Sequence, residues 1–151
     1  MERYHTSHLR RGRHSEIGRI YSVTVVTCQR QAWFHDFAAG QTLAREIYLA
    51  QCQGRATSLC WVIMPDHWHW LLQLEKEDLS RLLQRVKSRS AREINRHLGR
   101  RGQVWQAGYH ERALRREEDL RDVARYIVAN PLRAGLTRRL ADYPLWDAAW
   151  L

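Results

Sequence analysis

Lysine is nearly missing from this 151-residue chain: only Lys76 and Lys87 occur, although Lys+Arg total 25 against 16 Asp+Glu. The formal charge of +9 is therefore carried by arginine. Arginine forks match phosphate geometry and stack on bases, so the excess points to nucleic acid; a coding bias would explain arginine over lysine but less readily the net charge. Cysteine is scarce as well. Cys28, Cys52 and Cys60 form no C-x-x-C and no close pair, which argues against a disulfide framework or a zinc knuckle and reads as three small buried residues in a reducing compartment. No apolar run approaches membrane-spanning length, and Met1-Glu2-Arg3-Tyr4-His5 carries no signal core, so the expected location is the cytoplasm with no membrane partner.

What is present is ordinary globular material, 44% hydrophobic and 10% aromatic, in a length that fits one domain. Residues 1–18 read as a basic arm, 19–136 as the folded domain and 137–151 as a C-terminal tail. Arg19 to Cys28 is rich in β-branched residues and predicts a strand. Residues 36–53 have helical spacing. Residues 56–64 and 67–74 predict two strands joined tightly at Pro65-Asp66, hence a hairpin. Residues 78–98 are the clearest helix, with Leu79, Leu82, Leu83, Val86, Ser90, Ile94 and Leu98 as its core stripe and Gly99 and Gly102 as its stop. Val104–Leu114 reads as a strand and Glu117–Asn130 as a helix, closed at or just before Pro131. The order strand-helix-strand-strand-helix-strand gives an α+β fold: a ferredoxin-like antiparallel sheet with helices on one face, followed by a further helix.

Chemistry concentrates at His67-Trp68-His69. Alternate strand residues share a face, so the two imidazoles lie together and Trp68 points the other way. Two imidazoles on an otherwise apolar strand suit a divalent metal, although an H-x-H alone is a weak signal. The helix after the fourth strand holds Tyr126 and Asn130, four apart and so on one face. Beside such a metal Asn130 can supply an oxygen ligand and Tyr126 a nucleophile. Each also has a plainer use: tyrosines near a core usually pack, and Asn-Pro is a common helix stop. Asp119 and Asp122 fit helix-dipole and solubility roles.

A separate pattern runs along the long helix. Arg81, Arg85, Arg89, Arg92 and Arg96 form a cationic stripe, Glu93 is the only acid between Arg81 and Arg101, and Ser88 and Ser90 are candidate phosphate contacts. Such a stripe is usually a solvated face; stacked like charges that lack acids favour a polyanion partner. Arg10, Arg11 and Arg13 of the arm are candidates for the same role.

Val62-Ile63-Met64-Pro65-Asp66-His67-Trp68-His69, Val104-Trp105-Gln106 and Tyr126-Ile127-Val128-Ala129-Asn130-Pro131-Leu132-Arg133-Ala134-Gly135-Leu136 together resemble the REP-associated tyrosine transposases, in the single-tyrosine branch of the HUH endonuclease superfamily. The resemblance covers about residue 19 to Trp146. It implies a ferredoxin-like fold with a C-terminal helix carrying the tyrosine, and a Mg²⁺ or Mn²⁺ site. Its implied ligands are His67 and His69, with Asn130 as a third, and its implied nucleophile is Tyr126. The implied substrate is single-stranded DNA bearing an imperfect palindromic hairpin, cut to leave a 5′-phosphotyrosine and a free 3′-OH. The implied state is a monomer or homodimer. Imidazole ligands suit manganese better than magnesium. The alternatives are a DNA- or RNA-binding protein with an inert site, and a phosphodiesterase that activates water.

Overall fold

The computed structural model describes residues 3–5 (backbone only), 15–115 and 118–149. Its strands β1 (Arg3–His5), β2 (Ile20–Val26), β3 (Ala56–Met64), β4 (His67–Leu74), β5 (Tyr109–Ala113) and β6 (Trp146–Ala148) make one antiparallel sheet, ordered β1-β5-β2-β4-β3-β6. The inner four strands, with helices α1 (Phe37–Cys52) and α2 (Leu79–Leu98), are the expected ferredoxin-like unit. Helix α3 (Leu120–Val128) and the short α4 (Asn130–Arg133) follow.

Strand alternation sorts the side chains into two apolar layers. Trp68, Trp70, Leu72 and Leu74 of β4 join Val23 and Val25 of β2 beneath α1 and α2. Trp68 and Trp70 stack with centroids 5.5 Å apart. On the opposite face, Cys60, Val62 and Met64 of β3 and Leu71 of β4 pack against Ala124, Ile127 and Val128 of α3. The one-faced helix layer expected from the sequence therefore describes α1 and α2, and α3 takes the other face.

Local chemistry sets the helix limits. Asp78 accepts from the Arg81 N–H at 2.8 Å and opens α2. Gly99, at φ 63, closes it in the left-handed region where a side chain is costly. At α3 the Asp119 carboxylate accepts from the N–H groups of Arg121 and Asp122, so its role is to cap. Asp119→Ala is expected to cost about 1 kcal/mol, read as a lower midpoint in urea unfolding with an unchanged slope.

Three expectations need correction. The single strand Val104–Leu114 divides into an isolated bridge between Trp105 and Thr27 and the strand β5, with Gly108 turning between them at φ 78. Pro131 lies just after the end of α3, as expected, and sits in the first turn of the separate α4, where the missing N–H has no intrahelical partner to lose. Residues within the expected tail form β6 against β3, and Tyr143 Oη donates to the Ile63 carbonyl at 2.6 Å. Of the cysteines only Cys60 is buried, its thiol pushed up to about 12 by desolvation, while Cys52 is exposed. In the arm, Arg3–His5 pairs with β5, and Arg10, Arg11 and Arg13 lie outside the described residues. No helix among the described residues is long and apolar enough to cross a membrane.

Candidate active site

The β3–β4 connection has two residues, Pro65 and Asp66, because Met64 pairs directly with His67. The loop after β2 clamps this turn. Thr27, fully buried, gives its N–H to the Asp66 carbonyl at 3.0 Å, and its hydroxyl lies 2.7 Å from the Gln31 carbonyl and 3.0 Å from that of Asp66. Phe34 N–H donates to the Pro65 carbonyl at 3.1 Å. The clamping loop holds Gln29 and Arg30 at φ 54 and 55, a conformation that costs non-glycine residues of order 1–3 kcal/mol each. It brings Arg30 within 3.4 Å of the Asp66 carboxylate.

From this turn β4 leaves with His67 and His69 on one face. Their ring centroids are 4.8 Å apart and the planes meet at 84°. Each imidazole is tied through Nδ1. Asp66 Oδ1 lies 2.7 Å from His67 Nδ1 and, being an acceptor, selects the Nδ1–H form. Thr24 Oγ1 lies 2.8 Å from His69 Nδ1 and accepts from it whenever Nε2 is a ligand. Both Nε2 atoms are thus the ends left for a metal. Desolvation first, then the charges of His67 and Arg133, push the His69 pKa down to about 3, so this imidazole stays neutral across the physiological range. Burial works against the Asp66 carboxylate, but the His67 hydrogen bond and charge, together with Arg30, hold it below the ordinary range.

Register places the tyrosine helix beside this pair. Met64 and Val62 lie directly across from His67 and His69, and both pack beneath α3. Tyr126 precedes the buried Ile127 on that helix and is itself 67% exposed. Asn130 Nδ2 donates to the Ile127 carbonyl at 2.7 Å, which leaves Oδ1 as the amide's acceptor end. No three His, Cys, Asp or Glu side chains converge on a metal-sized site among the described residues; a third protein donor at the imidazole pair would have to be of another type, and an amide oxygen qualifies. His110 lies across Thr24 from His69 in the strand register, so it shares the imidazole face while its neighbour Tyr109 is buried on the other.

The arginine stripe stands elsewhere. It lies on α2, across the sheet from the imidazoles, and it is less lonely than the α2 sequence implies. Arg85 pairs with Glu77 at 3.5 Å, Arg89 with Glu46 of α1 at 2.9 Å and Arg96 with Glu93 at 3.4 Å. Among the described residues Arg81 and Arg92 have no acid partner. Ser90 is buried and accepts from Trp105 Nε1 at 3.0 Å, so it is no phosphate contact. Thr24 and Arg133 had no separate sequence signal, since one partnership depends on sheet register and the other on how α4 follows α3.

A sequence profile described as "Transposase IS200 like" matches residues 18–130. This chain belongs to the IS200-like transposases. Among its relatives is a REP-associated tyrosine transposase of Escherichia coli (strain K12), 29% identical over 86 residues, 56% of this chain and 49% of that protein. The chain thus matches about half the length of that relative. A Haemophilus influenzae protein carrying the same family name is 26% identical over 142 residues, covering 84% of this chain and 78% of its own. Among solved structures, a REP-associated tyrosine transposase bound to a REP hairpin superposes with a TM-score of 0.71 at 24% identity, over 89% of this chain and 79% of that one. A Deinococcus radiodurans R1 protein described as a transposase gives 0.56 at 22% identity, over 77% and 93%. These two likenesses establish the fold of this IS200-like transposase.

Proposed function

We propose that this IS200-like transposase nicks and rejoins single-stranded DNA at palindromic, REP-like hairpins through a covalent 5′-phosphotyrosine, with His67, His69 and Asn130 as the HUH-type metal site and Tyr126 as nucleophile. The observation that carries the reading is the imidazole pair with both Nδ1 atoms engaged, on the sheet face covered by the tyrosine's own helix. That arrangement leaves the two Nε2 atoms as donors for Mg²⁺ or Mn²⁺, with an outer partner behind each. A cation held there supplies charge neutralisation at a phosphate oxygen.

The chain's own groups do the rest. Tyr126 Oη forms a bond to phosphorus as the bond from phosphorus to the 3′-oxygen breaks. The phenol proton goes to solvent, and the departing oxygen takes a proton to become the free 3′-OH. The phosphodiester energy stays in the phosphotyrosine, so a second 3′-OH can reverse the step. Exposure of Tyr126 leaves the phenol accessible to a strand. Arg81, Arg85, Arg89, Arg92 and Arg96, with Arg10, Arg11 and Arg13, would hold DNA backbone; of the α2 set, Arg81 and Arg92 are the readiest because no described acid competes. Arg92→Gln is expected to weaken hairpin binding at all target sequences and to reduce the slope of log K against log salt by about 1.

The test uses a library of 3′-labelled DNA hairpins with a randomised single-stranded foot, incubated with Mn²⁺ and run on a denaturing gel. The reading requires labelled DNA migrating with the protein. Cleavage without any adduct would favour an activated water, and salt-dependent binding without cleavage would favour a binding module. Asp66→Asn and Thr24→Val are each expected to weaken Mn²⁺ affinity by about 10–100-fold, measured by calorimetric titration of the folded protein.

A further inference from the structure

One cation outside the groups assigned above stands against the tyrosine. Arg133 is the last residue of α4, seven positions after Tyr126. Its Cζ stands 3.9 Å from the centroid of the Tyr126 ring. Its Nη2 donates to the Tyr126 carbonyl at 2.6 Å. The backbone explains how it gets there: α3 stops at Val128, Ala129 caps it, and α4 begins at Asn130, so Arg133 reaches back to Tyr126 near the end of α3.

This double attachment is not needed for packing. Tyr126 and Arg133 are both exposed, and an exposed tyrosine ring ordinarily samples several rotamers. A guanidinium can press its flat face on a ring while its edge donates to a carbonyl; an ammonium offers a charge without the plane or the fork. Among the described residues no carboxylate pairs with Arg133, so its charge is not neutralised within its own surroundings.

We propose that Arg133 is a positioning residue for the strand-transfer reaction: it pins the Tyr126 ring at the α3–α4 joint, so that the phenol meets the scissile phosphate from a fixed rotamer. This rests on the nucleophile assignment made above. Fixing one rotamer before the encounter removes an ordering cost from the chemical step and leaves hairpin binding alone.

The hairpin library and Mn²⁺ assay serve with the full chain and its Arg133→Gln, Arg133→Lys and Tyr126→Phe variants. Single-turnover adduct formation, hairpin affinity and thermal midpoint are measured for each. Arg133→Gln is expected to slow adduct formation by about 10-fold or more, with hairpin affinity and thermal midpoint held near those of the parent. Arg133→Lys is expected to recover part of the rate. In the free protein, ¹³C-tyrosine NMR is expected to show the Tyr126 ring signal (assigned by its loss in Tyr126→Phe) moving in Arg133→Gln. A Tyr126-dependent adduct that forms at the parental rate in Arg133→Gln overturns the proposal alone. So does a rate loss matched by an equal loss of hairpin affinity or by partial unfolding. No adduct from the parent chain, or one that survives Tyr126→Phe, overturns the strand-transfer reading and takes this inference with it.

Discussion

Tyr126→Phe is expected to abolish the covalent protein–DNA product while hairpin binding stays at its parental strength. Where a covalent nucleophile has been deleted from an enzyme, rate losses have reached about 10⁶-fold, and a loss on that scale would leave only the assay background. The substitution removes one oxygen. It keeps the ring, and with it the Arg133 guanidinium 3.9 Å above the centroid. Tyr126 is 67% exposed, so the folded state is expected to change by less than about 0.5 kcal/mol. A dead variant with a normal unfolding curve and normal hairpin affinity therefore isolates chemistry from folding and from binding. Persistent nicking by Tyr126→Phe would transfer the attack to water and end the phosphotyrosine scheme.

His69→Ala is expected to have the next largest effect, on metal binding and on cleavage together. Losing an outer partner of a metal ligand typically costs about 10–100-fold; losing the ligand itself is expected to cost more than that, so Mn²⁺ titration of this variant should show no saturation in the range that saturates the parent. His67→Ala is expected to behave alike, and the double variant should be little worse than either single one, because two ligands of one ion act as a unit. The two single variants differ in stability. His69 is the more deeply desolvated ring, its pKa driven to about 3, so His69→Ala leaves a small void between Thr24 and the β3 neighbour Val62, whereas His67 stands at the turn beside half-exposed Asp66. Normal Mn²⁺-dependent cleavage by either variant would remove the metal site from this sheet face.

Much of this architecture was legible because the sequence repeats its local signals at the scale of whole elements. The β-branched run before Cys28, the Pro65-Asp66 break and the leucine stripe of residues 79–98 each forced one reading, and together they sufficed for the ferredoxin-like order of the inner strands. The alternation in His67-Trp68-His69-Trp70 foretold which side chains would meet the core. Other features depend on partners far away in the chain. β6 is three residues long and exists because β3 offers an unpaired edge, not because Trp146-Asp147-Ala148 favours a strand. Thr24 became the partner of His69 through sheet register, which one residue of slip would have abolished. The arginines of α2 gave a cationic stripe by spacing, but the acids that temper it, Glu46 and Glu77, come from α1 and from the segment before α2.

On the proposed function, the sheet itself has a consequence for the path a DNA strand would take. The imidazoles and the phenol's helix lie on one side, and the arginines of α2 lie on the other. If those arginines grip the paired stem, the unpaired foot has to pass around the sheet's rim before it reaches the phenol. The thickness of one protein layer would then act as a ruler, and the count of nucleotides between stem and cut would be read by distance alone, whatever their bases.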